Sequence, residues 1–289
     1  MTFKNVLLLY KRSAYKIYFL DNRNALSKKR TALIHCAKKQ FEKSHQAHYE
    51  SLRHVSRVLL THGVRFTESY RGRGLDYSKY DLVITIGGDG TFLEAARHVK
   101  HQAMLGVNSA PDHSVGRFCV AHSKNFENIL EKILSNKHQT KFMQRLSIKL
   151  PGQRKEIDVL NDVLVCHSNP AMLSRYYLEV GRQKEEQRSS GVWISTAAGS
   201  TGAIRSAGGK VLPAYSKIFQ YRPRELYQGK HQKYRLIGGN VQYKQRVSVI
   251  SLIRRGAVYL DGAHHHYPFD YGDTISVGQS GHPVKIIMP

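Results

Sequence analysis

Over its N-terminal part the sequence alternates between apolar runs of strand length and longer stretches with helical periodicity, a pattern that leaves few architectures open. Phe3 to Tyr10, with the block Val6-Leu7-Leu8-Leu9 at its centre, predicts a strand buried on both faces. From Ala25 to Thr61 the residues Leu33, Ala37, Phe41, His48, Leu52, Val55 and Leu59 recur at steps near three and four. They line one stripe of a long helix that Gly63 ends. Lys28, Lys29, Arg30, Lys38, Lys39, Lys43, Arg53 and Arg57 form the other face, the solvated side of a crossover helix. Val64–Tyr70, Tyr80–Ile86 and Ala103–Val107 predict further strands. One helix is expected from Phe92 to Lys100, and another, capped by Ser123 or Asn125, reaches Leu134. This is the pattern of a doubly wound α/β domain with a parallel sheet.

The texture changes near Asn136. From Phe142 onward short segments rich in β-branched and aromatic residues follow one another: Leu146–Leu150, Ile157–Cys166, Leu173–Val180, Val192–Thr196, Val247–Leu252, Val258–Leu260, Thr274–Val277 and Val284–Met288. They predict an all-β second domain. Leu212–Gln245 is basic, tyrosine-rich and without clear period, and reads as a long loop or irregular insert.

Composition narrows the class. With 41% hydrophobic and 23% charged residues in 289, the chain can bury a core without staples and is not disordered. Its three cysteines, Cys36, Cys119 and Cys166, are too few and too scattered for a disulfide framework or a cysteine-rich zinc site. No apolar run approaches the roughly 20 residues that span a bilayer, so a cytoplasmic, membrane-free protein is expected. The 45 Lys+Arg against 21 Asp+Glu, a formal +24, favour polyanionic partners without naming one.

Three clusters carry chemistry. Gly87-Gly88-Asp89-Gly90-Thr91 follows a predicted strand and opens a helix, at the end of an α/β sheet where ligands bind. Glycines let phosphate oxygens reach backbone N–H groups, and the helix N-terminus favours anions. A carboxylate there suits Mg²⁺ or an attacking hydroxyl better than it suits a bare phosphate cradle, although an ordinary tight βα turn uses the same residue types. Ser195-Thr196-Ala197-Ala198-Gly199-Ser200-Thr201-Gly202 is a second glycine–hydroxyl cluster after a strand, able to bind phosphate or ribose or to serve as a polar hairpin loop. Neither cluster is a P-loop or a G-x-G-x-x-G fingerprint. Asn161-Asp162 interrupts an apolar strand, so at least one polar side chain points inward and needs a partner. Gly106-Val107-Asn108 ends a strand at the same sheet edge as Gly87. His264-His265-His266, on an expected surface turn, lacks a second ligand group at zinc spacing.

Together, in this order, these motifs resemble the NAD kinase family. The likeness runs over Gly87–Glu94, Gly106–Asn108 with Gly116, Asn161-Asp162, Ser190–Gly209 with its Ser206-Ala207-Gly208-Gly209 ending, and Asp261-Gly262. The wording Gly106-Val107-Asn108-Ser109-Ala110-Pro111 and Ser189-Ser190-Gly191 is similar to the divergent mitochondrial-type branch. The resemblance implies an N-terminal α/β domain over 1–138, to which the chain end at about 270–289 returns. It implies a dinucleotide-binding β domain over 139–269 and an active site in the cleft between the two. It further implies Mg-dependent transfer of the ATP γ-phosphate to the adenosine 2′-hydroxyl of NAD by a homo-oligomer, with Mg²⁺ carried by ATP. Asp89 is then the general base or metal-linked carboxylate, and Gly87, Gly88, Gly90, Thr91 and Asn108 serve phosphate and nucleotide. Asn161, Asp162, Ser190, Thr201, Gly202, Ala203 and Ser206 line the NAD pocket.

The sequence departs from the family at two of these positions. Ser190 stands where most members have an acidic residue, and Ala203 where they have a tyrosine, which removes an aromatic platform. Whether the donor is ATP, another triphosphate or polyphosphate, and whether NADH is accepted, stays open. A kinase of the same fold acting on a nucleoside, sugar or lipid head group is one alternative. A basic nucleic-acid-binding protein retaining the fold is another, motivated by the charge and by Tyr221-Arg222-Pro223-Arg224.

Overall fold

The computed structural model describes residues 3–21, 31–72, 74–229 and 233–289, with side chains from 38 onward in the long helix. The expected helical residues Ala25 to Arg30 and the side chains of Leu33, Cys36 and Ala37 lie outside the described residues. The chain divides into two units, Met1–Lys141 with Val284–Pro289, and Phe142–Pro283.

In the first unit β1 (Val6–Tyr10), β2 (Phe66–Tyr70), β3 (Leu82–Gly87) and β4 (Ala103–Asn108) pair in parallel in the order β2-β1-β3-β4. β5 (Ala121–His122) pairs with β4, and the C-terminal strand Val284–Met288 lies between β4 and β6 (Gln139–Met143). Every residue of β3 and β4 is buried, as parallel strands covered on both faces require. Three helices follow strands: α1 (Thr31–Thr61), α2 (Asp89–Ala96) and α3 (Phe126–Leu134). Leu52, Val55 and Leu59 of α1 join the core with Phe126, Ile129, Leu130 and Ile133 of α3. Gly63, at φ +68°, ends α1 by donating to Leu60 O. Phe41 departs from the expected stripe: it is 37% exposed and packs against Tyr18 and Phe19.

The second unit contains β7 (Leu146–Lys149), β8 (Ile157–Val159), β9 (Asp162–His167), β10 (Ser174–Val180), β11 (Gln183–Ser189), β12 (Val192–Ser195), β13 (Phe219–Pro223), β14 (Gly239–Val241), β15 (Val247–Ser251), β16 (Gly256–Leu260), β17 (His265–Pro268) and β18 (Thr274–Gln279). They form two antiparallel six-stranded sheets, β11-β10-β15-β18-β7-β8 and β14-β13-β12-β9-β16-β17. Ile148, Tyr176, Leu178, Val249 and Val277 of one meet Val163, Val165, Ile194, Phe219 and Val258 of the other in a shared core. No helix among the described residues is long and apolar enough to cross a membrane.

Four expectations need correction. The single strand Ile157–Cys166 is two strands in different sheets, broken at Leu160–Asn161. Leu212–Gln245 is not wholly irregular, because β13 is an interior strand paired with β12 and β14. Its polar residues hid the pattern by bringing their own partners: Gln220 exchanges hydrogen bonds with the Lys210 backbone, and Arg222 donates to Ala207 O and Ile237 O. Arg222 is thereby committed and Tyr221 buried. The return of the chain end is confined to Val284–Pro289, since β18 pairs within the second unit. Finally, His265 and His266 belong to edge strand β17, with only His264 in the turn.

Candidate functional site

In the first unit, β3 ends at Gly87, Gly88 caps α2, and Asp89 is the first helical residue. The helix therefore starts three residues earlier than periodicity suggests and ends at Ala96. A Cβ on Gly87 would lie 2.3 Å from Thr91 Oγ1, so the turn requires glycine. Thr91 is buried, with no hydrogen-bond partner for its hydroxyl among the described residues, while Gly90 is exposed.

Asp89 is half-buried, and its Oδ1 accepts the Phe118 N–H at 2.9 Å. Phe118 is held by stacking on Phe92 of α2, with centroids 5.4 Å apart and planes 9° from parallel. Gly106 in β4 makes room for this loop, because a Cβ there would come within 2.5 Å of Phe118 O. One carboxylate oxygen of Asp89 is thus fixed, and the other has no partner among the described residues. Next to it the Cys119 thiol is pushed up to about 12, by burial first and then by Asp89.

Asn108 ends β4 beside Gly87, but its amide is spent inside the loop that follows. Nδ2 donates to Ser114 O at 2.9 Å, and Oδ1 accepts from Ala110 N and Ser114 Oγ. Gly116, at φ +57°, closes that loop where a Cβ would clash with the same amide. Asn108 therefore shapes the loop that follows β4.

The second unit builds a different polar centre at the break between β8 and β9. Asp261, at φ +49°, takes the N–H groups of Leu160 (3.1 Å), Asn161 (2.6 Å) and Asp162 (3.3 Å) on its carboxylate. It returns its own N–H to Asp162 O at 2.9 Å. These bonds replace the strand ladder and let the chain change sheets with its amides satisfied. Asn161 Nδ2 then donates to Asp162 Oδ2 at 2.7 Å. Burial, and after it the Asp261 charge, push the Asp162 carboxyl up to about 7.

The turn after β12 wraps this pair. Thr196 donates to Leu160 O at 2.7 Å and Ser195 to Asn161 O at 3.1 Å. A Cβ on Gly199 would sit 2.2 Å from Asn161 O, so only glycine fits. Gly202 faces the pair more loosely: a Cβ there would lie 3.6 Å from Asn161 Nδ2 and 3.8 Å from Asp162 Oδ2. Thr201 closes the 3₁₀ turn Ala198–Thr201, and the short helix α4 (Ala203–Ser206) follows. Ala203 and Ser206 are exposed.

Ser190 does not join them within one chain. In the β9–β12 register Ser195 lies opposite Asp162 and Val192 opposite Val165, placing Ser190 beyond the far end of β12. At ~3.3 Å per residue it is roughly 16 Å away along the strand. The sequence reading assigned no role to the Asp261 carboxylate, although Asp-Gly after a strand hints at its left-handed backbone. It missed the Phe118 N–H entirely, because a backbone donor has no sequence signature. Among the described residues no cluster of three or more His, Cys, Asp or Glu could hold a metal ion.

Known proteins share this architecture. The model of the ATP-NAD kinase N-terminal domain matches residues 8–138. A probable NADH kinase of Oryza sativa is 36% identical over 231 residues, 72% of this chain and 71% of that protein. The NADH kinase of Arabidopsis thaliana is 32% identical over 233 residues, 72% and 73% of the two chains. A crystal structure of an Archaeoglobus fulgidus NAD kinase in complex with ATP superposes with TM-score 0.71 at 21% identity, covering 98% of this chain and 92% of that one. A yeast NADH kinase complexed with NADH gives TM-score 0.72 at 14% identity, covering 100% and 84%.

Fold, site and relatives define a kinase, a phosphotransferase with an alcohol group as acceptor. The chain belongs to the NAD kinase family, on its divergent branch.

Proposed function

We propose that the chain transfers the γ-phosphate of ATP to the adenosine 2′-hydroxyl of NAD or NADH. The observation that carries this reading is Asp89: one oxygen is pinned by a backbone N–H and the other has no partner among the described residues, at the carboxyl edge of a parallel sheet. A carboxylate so held takes the proton of an attacking hydroxyl without itself moving. Gly88 and Gly90 leave the first turn of α2 open to phosphate oxygens. The second Asp89 oxygen also fits Mg²⁺, which prefers one or two carboxylates plus phosphates to an all-protein cage. When bound, that ion neutralises charge on the transferring phosphate.

Asn161 and Asp162 supply the dinucleotide side of the reading. An amide and a carboxylate fixed to each other and walled by Gly202 can hold the hydroxyls and amine of adenosine. NADH as an acceptor is supported by the plant relatives, both named as NADH kinases. The test is to supply NAD and NADH separately with Mg-ATP and measure NADP and NADPH formed. Phosphorylation of neither by the folded protein refutes the reading.

A further inference from the structure

Three of the four central strands of the first unit are followed by charged groups, and the proposed chemistry uses only the third. Lys11 follows β1, Arg71 follows β2, and Asp89 follows β3. Arg71 donates its backbone N–H to Tyr10 O at 2.8 Å, which continues the β1–β2 ladder one step and sets it beside Lys11. Its guanidinium reaches across to α2, where Nη1 lies 3.3 Å from the point a Gly90 Cβ would occupy. Lys11 is half-buried and shares the Cys119 thiol as a neighbour with Asp89.

The backbone of Lys11 is anchored. His48 of α1 bonds Lys11 O through Nε2 at 2.8 Å and Ser109 Oγ through Nδ1 at 2.9 Å, tying the ends of β1 and β4 together. Burial and the Lys11 charge hold this imidazole near 4, so it is neutral and adds no third cation.

The two cations lack compensation. Among the described residues neither Lys11 nor Arg71 has an ion pair or a side-chain hydrogen bond. Burial, and next the Arg71 guanidinium, lower the Lys11 pKa. Arg12, by contrast, is spent on the Tyr70 ring at 4.1 Å. Thr91 adds an independent sign: its buried hydroxyl over Gly87 has no partner among the described residues. Two uncompensated cations facing an open helix N-terminus are complementary to an anion with several charges.

We propose that Lys11 and Arg71 form a cation clamp that grips the polyphosphate of the phosphoryl donor over the first turn of α2. The assignment rests on the kinase reading for the identity of the donor. The clamp's electrostatics stand apart from it. A bound polyphosphate would relieve the Lys11–Arg71 repulsion, so the pair selects for a charged chain over a neutral nucleoside. Arg71, outside the sheet, gives orientation, and Lys11, deeper, gives charge.

The test measures binding of inorganic tripolyphosphate by calorimetry, together with steady-state kinetics, for the wild type, Lys11→Met and Arg71→Gln. Arg65→Gln is the control, since it removes one exposed charge at the opposite end of β2. Each clamp variant is expected to weaken tripolyphosphate binding and raise the KM for ATP by at least about tenfold, the loss of one charge-assisted contact. The KM for NAD or NADH and the melting temperature stay unchanged, and Arg65→Gln behaves as the wild type. Several results overturn the clamp: no tripolyphosphate binding by the wild type, unchanged binding in both variants, an equal loss in Arg65→Gln, or a rise confined to the KM for the dinucleotide. A wild type that binds tripolyphosphate through these residues, yet phosphorylates neither dinucleotide, keeps the clamp and refutes the kinase reading alone.

Discussion

Asp261→Ala should strongly destabilise this protein. The Asp261 carboxylate is the acceptor for three consecutive backbone N–H groups, and those of Leu160 and Asp162 are in buried bonds. Leaving a buried donor unsatisfied costs about 1–3 kcal/mol, so two of them remove about 2–6 kcal/mol. Set against a typical stability of about 5–15 kcal/mol, that is a large share. Asp261→Asn keeps an acceptor oxygen for Asn161 and Asp162 and should cost about 1–2 kcal/mol. Urea unfolding at pH 7 reads both variants, and hydrogen exchange of a peptide covering residues 158–164 localises the loss. The expected pattern is a graded drop in midpoint, Ala below Asn below wild type, with fast exchange at 160–162 in the Ala variant. A loss under about 1 kcal/mol for Asp261→Ala, or unchanged exchange at those amides, refutes the claim that Asp261 holds the strand break open.

Two further outcomes follow from the same centre. Because Asp162 is raised to about 7, the folded chain keeps a proton that the unfolded chain releases in the ordinary carboxyl range. Its contribution to stability therefore falls as pH rises toward 7 and levels off above, and Asp162→Asn should flatten that slope in a pH series of melting curves. If the ionised carboxylate is the form that accepts the ribose hydroxyls, the dinucleotide KM should fall as pH rises through 7, again flattened in Asp162→Asn. Gly199→Ala forces a Cβ to 2.2 Å from Asn161 O and should destabilise by about 1–3 kcal/mol, with a raised KM for the dinucleotide and little change for ATP. An unchanged dinucleotide KM in a folded Gly199→Ala protein contradicts the placement of the acceptor beside Asn161.

How much was legible in the sequence depends on the range of the cause. The β3–α2 junction was readable because its main determinants are local: a buried strand, glycines, and a carboxylate in the first turn. The break at Leu160–Asn161 was not, because its cause is Asp261, one hundred residues downstream of Asn161. An apolar run of strand length carries no sign that a distant carboxylate will divert it to another sheet. Interior strand β13 was concealed for a related reason. Gln220 and Arg222 look like surface residues until Lys210, Ala207 and Ile237 supply backbone partners for them. Lys11 and Arg71 passed unnoticed among 45 basic residues, since only the parallel register of β1 and β2 brings them together.

The central claim is that Asp89 accepts the proton of the attacking hydroxyl. Asp89→Asn tests it most directly, because the amide keeps an oxygen for the Phe118 N–H and so preserves the loop. Formation of NADP and NADPH is measured for wild type and variant with saturating Mg-ATP, alongside melting temperature. The account predicts an unchanged melting temperature and a kcat lower by about 10²–10⁴-fold, with KM values close to wild type. A folded Asp89→Asn protein that turns over at the wild-type rate would contradict it.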